Sequence, residues 1–340
     1  MNMKYVELME SARIIVEDCV KLRPGDEALV VTDSKATDYC GVEAMLHAII
    51  GAIKAAGAEP VVISYTAKVS NGDELPRAVA EAMKKTDAIF ALTTKSILHT
   101  TAAHEALAAG VRTLMLPAGS GVGFTNDYIY RAMPKSIKEV EDIAQLTNRI
   151  GAYFKNGKTV KITTKKGTDL TLNVGQLKMS FNDGSFDKPG INMQFIPSGQ
   201  LAIGVDPGTA NGKLVSDVSM SRVSAPLAQP ITFMVKDGYV TSIEGGREAE
   251  EFKKIIKSQN DPDAYLVCEV GLGMNPKAKP GCDTLENEHI YGGGHIGLGS
   301  NDTFGGKVRC ANNWHVDTCF LDATMWVDGQ KIVEDGVYLV

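Results

Sequence analysis

Over its first half the chain alternates strand-like and helix-like segments at a nearly constant pitch, and this alternation restricts the fold more than any other feature. Leu8, Met9, Ala12, Ile15, Val16 and Cys19 recur at helical spacing within Tyr5–Val20, and the pattern stops before Arg23-Pro24-Gly25-Asp26. An apolar run of strand length follows at Glu27–Thr32. Next come a helical stretch over Cys40–Ala56 closed by Gly57 and a strand at Glu59–Tyr65. The order repeats as a helix over Leu75–Lys85, a strand at Ala88–Thr93, a helix over Ala102–Ala109 and a strand at Val111–Leu116. Strands separated by helices run parallel, so the expected architecture is α/β, with helices on both faces of a parallel sheet.

A long helix is expected over Ser136–Phe154, where Ile137, Val140, Ile143, Leu146, Ile150 and Phe154 share one face; it closes a Rossmann-like domain of residues 1–155. After Asn156-Gly157 the period changes to two. Thr159–Thr164 and Leu170–Val174 flank a Lys-Lys-Gly-Thr-Asp turn, and further strands are expected at Gln200–Gly204, Thr232–Val235, Tyr239–Ile243, Met325–Val327 and Lys331–Val333. Residues 156–340 therefore read as a largely antiparallel, β-rich domain with one helix at Arg247–Ser258.

Charge and composition exclude several partners. A net charge of −6, with acids and bases interspersed, provides no basic face for nucleic acid. Met1–Glu10 lacks the basic start and apolar core of a secretory signal, and no later run reaches the length of a membrane span, so a cytoplasmic location is expected. The six cysteines are dispersed without a Cys-x-x-Cys, which fits reduced thiols better than a disulfide framework or a structural zinc knot. No Gly-x-Gly-x-x-Gly follows the first strand, and Gly119–Gly123 reads as a loop, so no nucleotide cofactor is expected. Thr93–Thr100, with Ser96 and His99, lies at the carboxyl end of a strand, where such sheets bind ligands. That segment is either a second functional element or a helix N-cap with an ordinary histidine beside it.

The richest chemistry lies between Cys268 and Phe320. Three of the chain's six histidines fall there, alternating with carboxylates: Glu269, Glu286, Glu288, His289, His295, His315 and Asp317. In His315-Val316-Asp317 both polar side chains project from the same face of a strand, so they can share one ion. His295, preceded by Gly292-Gly293-Gly294, and Glu269, followed by Val-Gly-Leu-Gly, are expected on neighbouring strands. Imidazole and carboxylate together are the donor set of a divalent metal. Glu286 or Glu288 is then a further ligand, a general base, or a partner that orients an imidazole. No spacing supports His289, which reads as a surface residue.

These residues carry a resemblance. Glu269-Val-Gly-Leu-Gly-Met-Asn-Pro276, Glu286-Asn-Glu288, Gly294-His-Ile-Gly-Leu-Gly-Ser-Asn301, Phe304-Gly-Gly306 and Trp314-His-Val-Asp317 resemble the carboxy-terminal signature of the aminopeptidase T, or thermophilic leucyl aminopeptidase, family. Thr163–Leu170, Pro197-Ser-Gly199, Leu22–Asp26 and Ser96–Thr100 resemble its other landmarks. The resemblance implies a two-domain homodimer with a pair of zinc, cobalt or manganese ions that hydrolyses the amide bond of a short peptide or small-molecule substrate. Its metal ligands would fall on Glu269, His295, His315 and Asp317; in such a hydrolase Glu288 is the candidate catalytic base. Two positions depart from the family pattern: Gln200 stands where a ligand glutamate is expected, and Asn301 stands near the place of a tyrosine. A related branch is similar to 2,5-dihydroxypyridine 5,6-dioxygenase, an iron(II) ring-cleaving enzyme with two histidines and one aspartate. Its first histidine would align with Glu269, and its other two ligands would match His315 and Asp317; His295, His315 and Asp317 also have the composition of a facial triad. The expectation from sequence is thus a metal-dependent amide hydrolase, with the Fe(II) dioxygenase as its alternative.

Overall fold

A computed structural model of the protein describes residues 3–36, 42–98, 100–116, 131–188, 190–281 and 284–340, with side chains from residue 6 onward. Cys40, His99, the Gly119–Gly123 run and Cys282 lie outside the described residues. The chain divides into two units. The first takes its described residues from 3–116, 131–144 and 182–198, and the second from 145–181 and 199–340.

In the first unit α1 (Met3–Arg13) leads through a π-helical turn (Ile14–Cys19) to β1 (Glu27–Asp33), α2 (Val42–Ala55), β2 (Glu59–Tyr65), α3 (Arg77–Met83), β3 (Ala88–Leu92), α4 (Thr101–Ala108) and β4 (Arg112–Met115). The wider π turn places Ile14, Ile15, Val16 and Cys19 all in the core. Alternate strand residues feed two separate cores. Ala28, Val30, Phe90 and Leu114 pack with α1 and α2, while Leu29, Val31, Ile89 and Met115 pack with α3 and α4. A sheet apolar on both faces needs a helical layer on each, which is why the strands read as continuous apolar runs. The sheet is parallel, in the order β2-β1-β3-β4-β7, and its last strand, β7 (Met193–Phe195), comes from much later in the chain. At the carboxyl ends of β1 and β3 the polar side chains are used locally. Thr94 donates its N–H and hydroxyl to Asp33, and the Thr100 hydroxyl accepts the Ala103 N–H as the N-cap of α4.

The second unit contains most of α5 (Ile137–Asn156), then β5 (Thr159–Thr163) and β6 (Asp169–Asn182) in an antiparallel hairpin. There follow β8 (Gln200–Val205), β9 (Asn211–Ser216), β10 (Ser219–Met220), β11 (Ile231–Lys236), β12 (Tyr239–Glu244), α6 (Arg247–Ser258) and β13 (Val267–Gly273). The chain ends with α7 (Thr284–His289), β14 (Gly294–Gly299), β15 (His315–Phe320), β16 (Thr324–Val327), β17 (Gln330–Glu334) and β18 (Val337–Tyr338). The main path of the sheet is β10-β15-β14-β13-β8-β6-β5-β16-β17-β18. Asp328-Gly329 takes the two positive φ angles, 47° and 81°, that a tight β16–β17 hairpin demands. Alternate residues of β5, β6, β8, β13, β14 and β15 form one apolar core under α6, whose Phe252 stacks on Trp314 at 6.4 Å. Among the described residues Cys19, Cys268, Cys310 and Cys319 are free thiols, and no helix is long and apolar enough to cross a membrane. A groove of about 410 Å³ lies over Thr159, Lys161, Thr163, Thr171, Trp326 and Gly329, and holds none of the ligand-type residues.

Candidate metal centre

The site is built on the face of β13, β14 and β15 opposite the apolar core. Glu269 on β13 lies opposite Gly297 on β14, and Gly297 lies opposite Asp317 on β15. In the next rows Gly271, His295 and Cys319 are aligned, and Gly299 faces His315. The intervening residues, Val270, Leu272, Ile296, Leu298, Val316 and Phe320, point into the core. Each chemical side chain thus has a glycine beside it. A Cβ on Gly271 would stand 1.8 Å from His295 Cε1, and one on Gly297 would stand 2.8 Å from Glu269 Cβ and 3.1 Å from Asp317 Oδ1. The glycine punctuation of this stretch makes the room in which the carboxylates and imidazoles meet.

The contacts are short and mutual. Glu269 Oε1 is 3.0 Å from His295 Nε2, and Glu269 Oε2 is 3.0 Å from His315 Nε2. Asp317 Oδ1 is 3.3 Å from the same His315 nitrogen. His315 Nδ1 lies 2.9 Å from the Ser300 carbonyl; a carbonyl only accepts, so Nδ1 carries the proton and Nε2 is turned toward the carboxylates. A bulge on β13, where Val267 faces Leu298 but Glu269 faces Gly297, leaves Cys268 unpaired and brings its Sγ within 3.7 Å of His315 Nδ1.

Burial shapes the electrostatics. Burial alone would raise Glu269, but its hydrogen bonds to His295 and His315 outweigh that and hold it well below the usual carboxylate range. Burial would lower His295, yet the Glu269 carboxylate and the charges of Glu288 and Asp317 carry it up to about 9. Glu288 is pushed well above the ordinary carboxylate value, first by burial and then by the charge of Asp317.

The remaining expected residues sit on or beside α7. Glu288 Oε2 accepts a hydrogen bond from Gln200 Nε2 at 3.1 Å, so Gln200 serves as a donor to Glu288. Glu286 is committed to structure: its carboxylate accepts the Lys279 N–H, while Asn287 bonds the Gly281 backbone in both directions. The surface assignment of His289 is corrected. It is fully buried and pushed down to about 3 by burial and the nearby charge of His295. The cause is the docking of the end of α7 on β13. The His289 carbonyl accepts the Asn275 N–H, and a Cβ on Gly273 would lie 2.2 Å from the Ile290 carbonyl oxygen. A six-residue helix is too short to show period 3.6 in sequence. The Ser300 carbonyl, which fixes the His315 ring, leaves no sequence signal either, because any residue supplies a carbonyl.

Glu269, His315 and Asp317 each offer one ligand atom, and the three atoms lie within 4.8 Å of one another. His295 touches Glu269 but lies outside this group. The set fits a divalent ion. The two carboxylates would repel each other unless a cation stood beside them, a part that His315, raised well above the ordinary imidazole value against the lowering effect of burial, plays here and that an ion would take over; the buried Asp317 Oδ1 has no hydrogen-bond donor. An ion there would also offset the carboxylate charges that push Glu288 upward.

Fold and site together define a class: a mixed α/β protein whose antiparallel sheet carries a metal-competent centre of one imidazole and two carboxylates. The model of the 2,5-dihydroxypyridine 5,6-dioxygenase family matches residues 8–340. The chain belongs to that family, and so to a family of enzymes. It is similar to the 2,5-dihydroxypyridine 5,6-dioxygenase of Pseudomonas putida, with 25% identity over 256 residues, covering 72% of this chain and 69% of that protein. The solved structure of 2,5-dihydroxypyridine dioxygenase from Pseudomonas putida KT2440 shares the fold at a TM-score of 0.80 and 19% identity, covering 99% of this chain and 98% of that one. Wild-type AmpT from Thermus thermophilus shares it at 0.68 and 15% identity, covering 98% and 99%. The resemblance to aminopeptidase T is therefore one of fold. The expectation of an amide hydrolase, an aminopeptidase-like metalloprotease, is corrected by the family match, which supports the dioxygenase alternative. Nitrogen and oxygen donors in this order serve either chemistry, so the ligand-type residues alone did not decide the reaction.

Proposed function

We propose that the protein is a ferrous-iron-dependent dioxygenase that opens the ring of a dihydroxylated pyridine, or a close heteroaromatic relative. The observation that carries this reading is the family match over 8–340, and the triad agrees with it. Glu269, His315 and Asp317 would hold the ion at the positions to which the dioxygenase resemblance points, with Glu269 in place of an imidazole. When bound, the ion would supply an electron donor for dioxygen and a Lewis acid for a ring oxygen.

The chain's own groups do the rest. Ser300 holds His315 with Nδ1 as the donor, so that Nε2 is the nitrogen that would ligate. His295 binds Glu269 Oε1 and so aims Oε2 at the triad. Two carboxylates balance the charge of a divalent ion, whereas two imidazoles and one carboxylate would leave a net positive charge. A centre of this charge would suit a ring hydroxyl in its neutral or singly ionised form.

The test is turnover of 2,5-dihydroxypyridine under ¹⁸O-labelled dioxygen by protein loaded anaerobically with ferrous iron. Ring-opened product carrying both labelled atoms is expected. Product labelled from water, or a ring that survives in the presence of iron-loaded protein, would refute the proposal.

A further inference from the structure

Beside the triad stands a pair that metal binding does not use. Gln200 begins β8 where Gly273 of β13 faces it, and Glu288 comes from α7, which packs against β13, β14 and β15. The polarity of their 3.1 Å contact is fixed by the nitrogen, which can only donate, so Glu288 Oε2 is the acceptor. Among the described residues the other carboxylate oxygen of Glu288 makes no hydrogen bond. Glu288 is close enough to Asp317, His295, Glu269 and His315 for their charges to act on it, yet it lies outside the metal-competent group. A half-buried carboxylate with one oxygen anchored by an amide and the other unused is an acceptor prepared for a donor that the chain does not supply.

We propose that Glu288, oriented by Gln200, is a specificity-determining acceptor that selects substrates presenting an O–H or ring N–H on the edge away from the metal. This rests on the dioxygenase reading and adds the rule by which the site chooses among rings. A single contact to an ion at the triad would fix one point of a flat ring and leave its rotation open. A second, directional contact sets which bond faces the ion. A site built to accept a hydrogen bond rejects an analogue that lacks the donor, because its own acceptor is then left buried and unpaired. Gln200 acts through Glu288 and is a positioning residue: with an aliphatic side chain at 200 the carboxylate loses its anchor and the preference weakens without disappearing.

The experiment uses the full chain loaded anaerobically with Mn(II), which permits binding to be read without turnover. 2,5-Dihydroxypyridine and its two mono-O-methyl ethers are titrated in turn and followed by ring absorbance. The wild type should bind the dihydroxy compound about ten- to a hundredfold more tightly than one of the ethers, as expected for one hydrogen bond to a charged group. Glu288→Gln keeps the shape but turns the free end of the side chain into a donor, so that preference should vanish or invert. Gln200→Leu should reduce it several-fold, and it gives the same readout should the Glu288 variant fail to fold. Wild-type discrimination in both variants would overturn the role of Glu288 and leave the dioxygenase reading intact. Metal-loaded wild type that binds none of the three rings would overturn the dioxygenase reading itself, and this inference with it.

Discussion

Gly271→Ala is the sharpest test of how the glycines build the site. A methyl group at 271 would stand 1.8 Å from His295 Cε1 and 2.1 Å from Nε2. Non-bonded carbons rest at about 3.5–4.0 Å, so the imidazole must retreat by about 2 Å. The 3.0 Å contact between His295 Nε2 and Glu269 Oε1 cannot survive that displacement. Losing a hydrogen bond to a charged group costs about 1.5–3 kcal/mol, and overpacking a filled site adds about 1–3 kcal/mol. The metal-free variant should therefore be destabilised by about 2.5–6 kcal/mol, read from urea unfolding. Because His295 orients Glu269, metal affinity should also fall by about ten- to a hundredfold, read by competition with a chromophoric chelator. A variant within about 0.5 kcal/mol of wild type that holds metal equally well would show that the His295 ring does not occupy the space above Gly271.

The other expectations separate the roles of neighbouring groups. Glu269→Ala should abolish stoichiometric metal binding, whereas His295→Ala should retain one ion per chain at about ten- to a hundredfold weaker affinity; equal loss in both, by elemental analysis, would make His295 a ligand. In metal-free protein His295 rises from 6.5 to about 9 on folding, so its contribution is complete below pH 6.5 and is lost as pH rises through about 9. That interval corresponds to at most about 3–4 kcal/mol, and thermal unfolding should show an alkaline decline that His295→Gln reduces without abolishing, because His315 is raised as well; a flat profile would contradict the assignment. Gly51 lies inside α2, where a Cβ would meet only Met9 Cε at 3.6 Å, so Gly51→Ala should stabilise the protein by about 0.5–1 kcal/mol, measured by urea unfolding; destabilisation would mean a tighter packing of α1 on α2.

How much was legible in the sequence follows from the range of the signals. The parallel β1–β4 layer and α6 could be read because apolar residues recur with a local period, and the Asp-Gly turns placed the hairpins. β7 was missed because its three residues gain strand character only by pairing with β4 across a large separation. β9 and β10 were missed too: Asn211-Gly-Lys starts a strand without alternation, and two residues carry no period. At the site, His315-x-Asp317 declared a shared face because side chains on a strand repeat every second residue. The bulge at Cys268, the buried end of α7 and the Gln200–Glu288 bond depend on tertiary docking, and no local pattern encodes them. The reaction was least legible, since the same imidazoles and carboxylates suit hydrolysis and oxygen chemistry alike.

The central claim is that this centre directs dioxygen at a dihydroxylated ring. Its most direct test is oxygen uptake by protein reconstituted anaerobically with ferrous iron, with iron content measured on the same sample. We expect one iron per chain, one dioxygen consumed per 2,5-dihydroxypyridine lost, and no uptake by His315→Ala. Protein that carries one iron per chain yet consumes no oxygen with this substrate would contradict the account.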